Sequence, residues 1–338
     1  MLEDKSMHEL NASIPLAKAW NPALLWSEPI FPTEKLMKTF DAVATRALLP
    51  YPELAQALQA VLRDKRAGKA AAPPRIIMPI ANNGTLLVMP AADEQLAITK
   101  LVTVHRDNYT RGLPSIQAEV FVMSAHTGER LCVLDGATVT ARRTAAMSLL
   151  AAQLLAPVKT GPMLIVGAGV QGRAHLEAFA SGLGVREFFI ASKTAANAHA
   201  LAHDASGMGF KASVIENTAD VLPRVSLIAT CTTSSLPVIP ADVREDAFVA
   251  AVGAYNASMA ELPAALVQRA SVFVDSLAGA KHEAGDLIHA QVDWSRVTEI
   301  EAVSAAGSHN GHAGPVVFKS VGHALWDLAA ARLAVSKL

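Results

Sequence analysis

Gly167, Gly169 and Gly172 stand in the spacing G-x-G-x-x-G inside the run MLIVGAGVQGRAHLEAF, residues 163–179. Glycines so placed serve phosphate chemistry. The first permits a tight turn, the second lets the main chain approach a pyrophosphate, and the third lets helix and strand pack closely. The helix that follows then offers its first N–H groups to the phosphates. Met163 to Val166 suits a buried parallel strand, and helical spacing of apolar residues follows, so the context is right on both sides. Gly167, Ala168, Gly169, Val170, Gln171 and Gly172 form the candidate pyrophosphate loop; a Gly-rich turn without a ligand is the plain alternative.

In such a unit the end of the second strand selects the dinucleotide. An acidic side chain there accepts from the ribose 2′-hydroxyl and repels a 2′-phosphate. This chain reads Ala191-Ser192-Lys193-Thr194, with no Asp or Glu. Ser192 and Thr194 can donate to phosphate oxygens and Lys193 adds positive charge, so NADPH is expected ahead of NADH; a solvated loop lysine is the bland reading. Thr230 to Ser235, TCTTSS, falls at a strand's carboxyl end, where ligands bind in these sheets, and makes Thr232 and Thr233 candidates for the nicotinamide side.

Strands alternate with helices around the fingerprint. Phe188 to Ala191, Ser226 to Cys231, Ala247 to Val252 and Val272 to Asp275 read as strands and Ala195 to Ala205 as a helix, which predicts a doubly wound parallel sheet. Ahead of it, short β-rich runs at Arg75–Pro79, Gly84–Met89, Leu96–Thr103, Ile116–Ser124 and Arg130–Leu134 predict a mostly antiparallel sheet. Two helices are expected between Pro32 and Gly68, and a strong one from Thr138 to Leu155, stopped by Pro157. Val316 to Leu338 reads as one amphipathic helix returning to the first domain. The fold class is thus α/β, a Rossmann sheet plus a second α+β domain. The division expected is 1–137 with 316–338 for the second domain, and 138–315 for the nucleotide. The first thirty residues read as an irregular lead-in.

The chain has 338 residues and a formal net charge of −1, so it shows no electrostatic footprint for nucleic acid or an anionic membrane. A small-molecule partner is expected instead. Cys132 and Cys231 lack metal-ligand spacing and read as reduced thiols, and the N-terminus lacks a secretory pattern, so a cytoplasmic protein is expected. His309 and His312 can chelate, but no recognised ligand spacing accompanies them and no metal is expected. His282, Glu283 and His289 read as surface positions, and Glu261, Asp275 and Asp286 as polar members of the sheet edge.

Seven stretches carry more: Pro74-Arg75, Thr99-Lys100-Leu101-Val102, Arg111-Gly112-Leu113-Pro114-Ser115, Leu134-Asp135-Gly136, Arg143-Thr144-Ala145-Ala146, Val166 to Gln171, and Phe318-Lys319-Ser320-Val321-Gly322. Together, in this order, they resemble the ornithine cyclodeaminase and mu-crystallin family. The resemblance implies a homodimer joined through the antiparallel sheets and a substrate pocket between that sheet and the Rossmann part, and so gives substrate binding and dimerisation to 1–137 with 316–338. It places Arg75, Lys100 and Arg143 around a substrate carboxylate, with Arg75 and Lys100 as the catalytic pair. It also adds Ser115, Arg143, Val252, Gly253 and Ser320 to the cofactor set.

The cyclodeaminase branch carries an aspartate in the loop after the Val252-Gly253 strand, where this chain reads Ala254-Tyr255-Asn256. A phenol, with an ordinary pKa of about 10, is a poor replacement for a carboxylate base. The resemblance therefore points to the ketimine reductase branch, with NADPH reducing Δ1-pyrroline-2-carboxylate to L-proline and Δ1-piperideine-2-carboxylate to L-pipecolate. The alternatives are an alanine- or opine-type dehydrogenase, an ornithine cyclodeaminase, or a binding protein that holds NADPH and a small ligand. His105, Tyr109 and Tyr255 are candidates for the proton donor.

Overall fold

The computed structural model describes residues 37–306 and 314–338. The lead-in and the candidate ligands His309 and His312 lie outside the described residues. After β1 (Lys38–Phe40), the Asp41 side chain accepts from Ala44 N–H at 2.8 Å and starts α1 (Ala42–Leu48). Pro50 caps α2 (Tyr51–Arg66), whose Pro52 sits in the first turn, where a missing N–H removes no helical bond.

Seven strands then make the first sheet. β2 (Ala70–Ala71), β3 (Ile76–Ile80), β4 (Gly84–Asp93), β5 (Leu96–Val104), β6 (Ile116–Ser124) and β7 (Arg130–Asp135) join β1 in the order β1-β7-β6-β5-β4-β2, with β3 also on β4. Only the β1–β7 pair is parallel. The two-residue period of β5 turns Leu96, Ile98, Lys100 and Val102 to the buried face. Lys100 thus lies among core residues, opposite Met89 on β4 and Val120 on β6.

Asp135 caps α3 (Gly136–Leu155), accepting from Thr138 N–H at 2.7 Å. This helix packs on α2 and on β6 and is buried on nearly all sides, Arg142 and Arg143 included. Neither arginine belongs to a solvated face.

The second sheet is built from β8 (Met163–Val166), β9 (Glu187–Ala191), β10 (Lys211–Val214), β11 (Leu227–Thr230), β12 (Phe248–Ala251), β13 (Ser271–Val274), β14 (Thr298–Glu299) and β15 (Val316–Lys319). All pairs are parallel, in the order β10-β9-β8-β11-β12-β15-β13-β14. The chain reverses its direction of travel across the sheet between β8 and β11, the crevice where ligands of doubly wound folds bind. α4 (Val170–Leu183) and α5 (Ala195–Gly207) cross between the first strands. α6 (Ala264–Arg269), α7 (Leu277–Glu283), α8 (Gly285–His289) and α9 (Ile300–Ala306) belong to the second half.

The end of the chain corrects the expectation of one amphipathic helix over 316–338. Val316–Lys319 is β15, a central strand between β12 and β13, and only α10 (Ala324–Val335) is helical. The run VVFK is a continuous apolar strand, and Gly322, at φ +83°, separates it from the helix. α10 has no broad solvated face: Ala324 to Ala331 are buried because it packs on α2, α3, β4 and β5 at once. One apolar cluster runs from Leu54 and Ile98 through Met147 and Phe179 to Phe188 and Phe318, so both sheets share a core and residues 37–338 form one unit.

Candidate active site

Successive strand ends of the parallel sheet are tied in a row. Gly167 N–H donates to Ala191 O at 2.8 Å, Cys231 N–H to Val166 O at 2.7 Å, Val252 N–H to Thr230 O at 3.0 Å and Ser320 N–H to Ala251 O at 3.1 Å. The fingerprint fits a dinucleotide on its own geometry. Gly167 has φ +105°, and a Cβ there would lie 2.6 Å from Cys231 O; at Gly172 a Cβ would run into the Gly167 carbonyl. Above Gly169 the space is open, and α4 begins at Gly169 with no side chain capping its N–H groups. That is an anion cradle at a helix N-terminus.

Ser192, Lys193, Thr232 and Thr233 line one cavity of ≈870 Å³ over the ends of β8 and β9. Thr194 caps α5 without using its hydroxyl in a cap bond. Lys193 is exposed and has no ion-pair partner among the described residues. Glu216, also exposed, lines the same cavity, an acidic group contributed by the segment after β10 rather than β9. Ala168, Gly169 and Val170 border a second cavity of ≈630 Å³ with Arg142 and Arg173. The side-chain oxygen of Gln171 is buried and unpartnered among the described residues.

Glu261 fastens the two loops beside the nicotinamide candidates. It is fully buried. One oxygen accepts from Thr232 N–H at 2.6 Å and Thr232 O–H at 2.9 Å. The other accepts from Thr230 O–H at 3.1 Å, Gly253 N–H at 2.7 Å and Ala254 N–H at 3.3 Å. Burial pushes its pKa up, and the Lys319 ammonium and the Thr232 N–H oppose that. Behind it, Asp286 accepts from Glu261 N–H and Leu262 N–H and pairs at 2.9 Å with Lys319, both side chains being fully buried. These carboxylates are structural hubs, not edge decoration.

The three expected basic residues come together, with a partner absent from the sequence reading. Lys100 Nζ lies 2.7 Å from Asp327 Oδ2 and donates to Thr140 Oγ1 at 3.3 Å, and Arg143 Nε donates to Asp327 Oδ1 at 3.3 Å. Arg75 Nη2 donates to Gly322 O at 2.6 Å, and a Cβ on Gly322 would touch the Arg143 guanidinium at 2.9 Å. Arg75 Nη2 also lies 3.4 Å from Glu283, which is half-buried rather than a surface position. Burial pulls the Lys100 pKa down to about 8; Asp327 opposes this, while Arg143 and Arg75 add to it. Asp275 holds the loop that carries Gly322, accepting from Ser320 O–H at 2.7 Å, Gly322 N–H at 2.9 Å and Trp326 Nε1–H at 3.2 Å. Ser320 is therefore a buried link in that support, with its hydroxyl proton already committed.

The other candidates fall in different places. His105 packs over Gly84 and its main-chain N–H donates to Ser115 O at 2.8 Å, which ties together the two ends of the connection from β5 to β6. Ser115 has no hydrogen bond to the fingerprint among the described residues. The Tyr109 side chain lies outside the described residues, and Tyr255 is 42% exposed on the loop after β12. His323 caps α10 through Leu325 N–H, and burial lowers its pKa. The one omitted member of the cluster left a sequence signal: Asp327 is a lone acid inside an apolar helical run, and a buried charge of this kind is rare unless paired.

The model of the ornithine cyclodeaminase/mu-crystallin family matches residues 33–338. The Δ1-pyrroline-2-carboxylate/Δ1-piperideine-2-carboxylate reductase of Azospirillum brasilense is 40% identical over 298 residues, covering 87% of this chain and 94% of that protein. The structure of Thermococcus litoralis Δ1-pyrroline-2-carboxylate reductase, in complex with NADH and L-proline, matches with a TM-score of 0.84 and 26% identity over 89% of this chain and 97% of that one. An archaeal alanine dehydrogenase dimer with bound NAD matches with a TM-score of 0.81 and 27% identity over 89% and 97%.

Proposed function

This chain belongs to the ornithine cyclodeaminase/mu-crystallin family, and on that premise we propose that it reduces cyclic ketimine carboxylates with a nicotinamide cofactor. The substrates are Δ1-pyrroline-2-carboxylate and Δ1-piperideine-2-carboxylate, and the products L-proline and L-pipecolate. The observation that carries the reading is the cluster of buried Lys100, Arg143 and Asp327 with the partly exposed Arg75, joined through Gly322 and Ser320 to the strand ends that bear the dinucleotide fingerprint.

Arg75 and Arg143 offer planar forks to the substrate carboxylate, and Lys100, which shares Asp327 with Arg143, serves as a proton source. A pKa of about 8 keeps Lys100 mostly charged at neutral pH yet able to release its proton to the imine nitrogen. The reduced nicotinamide, when bound, supplies the hydride that adds to the imine carbon. Nitrogen gains the proton, carbon gains the hydride, and Lys100 recovers its proton from solvent before the next turnover. Positioning in a site with little water does the rest. A loop reading Ala254-Tyr255-Asn256 offers no carboxylate base for the amine and water of a cyclodeamination, which favours the reductase branch.

NADPH preference rests on Ser192, Thr194 and the unpaired Lys193, with Glu216 acting against it, so NADH remains usable at lower efficiency. Ile76, Ile77, Met78, Leu113 and Ile116, each 45–59% exposed on or beside the first sheet, supply an apolar face for a homodimer. The functional division is 1–137 with the closing helix for the carboxylate and dimer side, and 138–315 for the cofactor. No helix among the described residues is long and apolar enough to cross a membrane, and a cytoplasmic setting, where reduced cofactor is held, goes with this reading. The test is NADPH oxidation with each cyclic imine, run beside NADH and beside pyruvate with ammonia, with ammonia release from L-ornithine in the presence of NAD⁺ measured separately because cyclodeamination consumes no net reduced cofactor. Turnover confined to the imines supports the reductase; turnover of pyruvate with ammonia alone replaces it with an alanine dehydrogenase.

A further inference from the structure

Asp327 is fully buried in the first turn of α10, with one oxygen toward Lys100 and the other toward Arg143. The remaining surroundings of Lys100 give its charge no support. Met89 and Val120 flank it on the neighbouring strands, Thr140 on α3 contributes a neutral hydroxyl, and Arg143 on α3 and Arg75 ahead of β3 contribute positive charge. Lys100 is 2% exposed, so water does little for it either.

We propose that Asp327 is a positioning residue for the reduction, the carboxylate that keeps Lys100 charged and holds its ammonium and the Arg143 guanidinium in one orientation toward the substrate. This rests on the reading of Lys100 as the proton donor. Asp327 does not touch the substrate; it acts through Lys100. A single opposite charge at this range shifts a titration by about one to three units, and the two arginines push the other way. With a neutral side chain at 327, Lys100 loses most of its charge at pH 7, and the site keeps its carboxylate grip through Arg75 while losing its acid.

The experiment is the pH dependence of kcat at saturating NADPH and Δ1-piperideine-2-carboxylate, for the full chain and for Asp327→Asn, Asp327→Glu and Lys100→Arg. The unaltered protein is expected to lose activity as pH rises through about 8. In Asp327→Asn that loss is expected to move down by about one to three pH units, whereas Asp327→Glu, which restores the charge, keeps it within roughly half a unit. Lys100→Arg is expected to remove the limb, because a guanidinium does not titrate in this range. An unmoved limb in Asp327→Asn, with Lys100→Arg still abolishing it, overturns the role of Asp327 alone. A limb that persists in Lys100→Arg shows instead that Lys100 is not the donor. Should Asp327→Asn fail to fold, a limb displaced by more than one unit in Asp327→Glu overturns the proposal. So does a ¹³C-lysine NMR signal, assigned to Lys100 by its loss in Lys100→Arg, that titrates below pH 6 or above pH 10 in the unaltered protein.

Discussion

Replacing Arg75 by alanine separates carboxylate recognition from everything else the site does. Arg75 Nη2 donates to Gly322 O at 2.6 Å and lies 3.4 Å from Glu283, and the other N–H groups of the fork are offered to the substrate. Two charge-assisted hydrogen bonds from them are worth about 1.5–3 kcal/mol each. The Arg75 side chain is 22% exposed, and water fills part of the space left behind, so the net loss is set near the low end, at about 3 kcal/mol in all. That corresponds to a roughly 150-fold fall in kcat/KM for Δ1-pyrroline-2-carboxylate. Arg75→Lys keeps a point charge without the fork and is expected to lose about tenfold. The assay is initial-rate NADPH oxidation with Δ1-pyrroline-2-carboxylate and, in parallel, with Δ1-pyrroline, which lacks the carboxylate; NADPH affinity is followed by fluorescence. The variant should treat the two imines nearly alike and bind NADPH normally. An equal fall with both imines, or a fall below about threefold with the carboxylate, refutes Arg75 as the clamp.

Glu261→Gln must turn one end of its amide toward a backbone donor. It is therefore expected to cost about 1–3 kcal/mol of unfolding free energy by urea denaturation and to raise the KM for NADPH about tenfold, with the imine KM changed far less. His175, fully buried between Gln171 O at 2.8 Å and Ser148 Oγ at 2.9 Å, has its pKa pulled down to about 4 from 6.5 by burial. The unfolded chain therefore takes up this proton first. The His175 contribution is intact above pH 6.5 and declines as pH falls toward 4, by about 2.5 kcal/mol at pH 4.5. The stability gap between the unaltered protein and His175→Gln should narrow by that amount between pH 7 and 4.5, and a constant gap rejects the buried neutral imidazole. Lys193→Ala should lower the NADPH-to-NADH ratio of kcat/KM by roughly three- to tenfold, and Glu216→Gln should raise it; both effects should shrink in high salt, since the groups are exposed.

Local pattern carried most of the fold. The strand Met163–Val166, the glycine spacing, the helix ending before Pro157 and the β-runs from Ile76 to Asp135 depend on short-range periodicity and turn chemistry, and these are visible in one chain. What lay beyond reach was set by partners far away in sequence. Val316–Lys319 is a strand because β12 and β13 leave a place between them, and nothing within four residues announces that neighbourhood. Arg142 is held by a residue far away in the chain, its Nε donating to Leu49 O at 2.6 Å across the helix interface. Asp327 meets Lys100 more than two hundred residues away, and Glu261 meets Thr232 across a loop. A lone charge in an apolar run shows that a partner exists without showing which one.

The most direct test of the central claim is where the hydride goes. NADPH carrying deuterium at the transferable C4 position is incubated with the protein and Δ1-pyrroline-2-carboxylate, and the product is read by mass spectrometry and NMR. Direct transfer gives L-proline with one deuterium on Cα and NADPH consumed in equal amount. Unlabelled proline, or no NADPH consumed by protein shown to bind it, would contradict direct hydride delivery to the ketimine carbon and with it the assigned reaction.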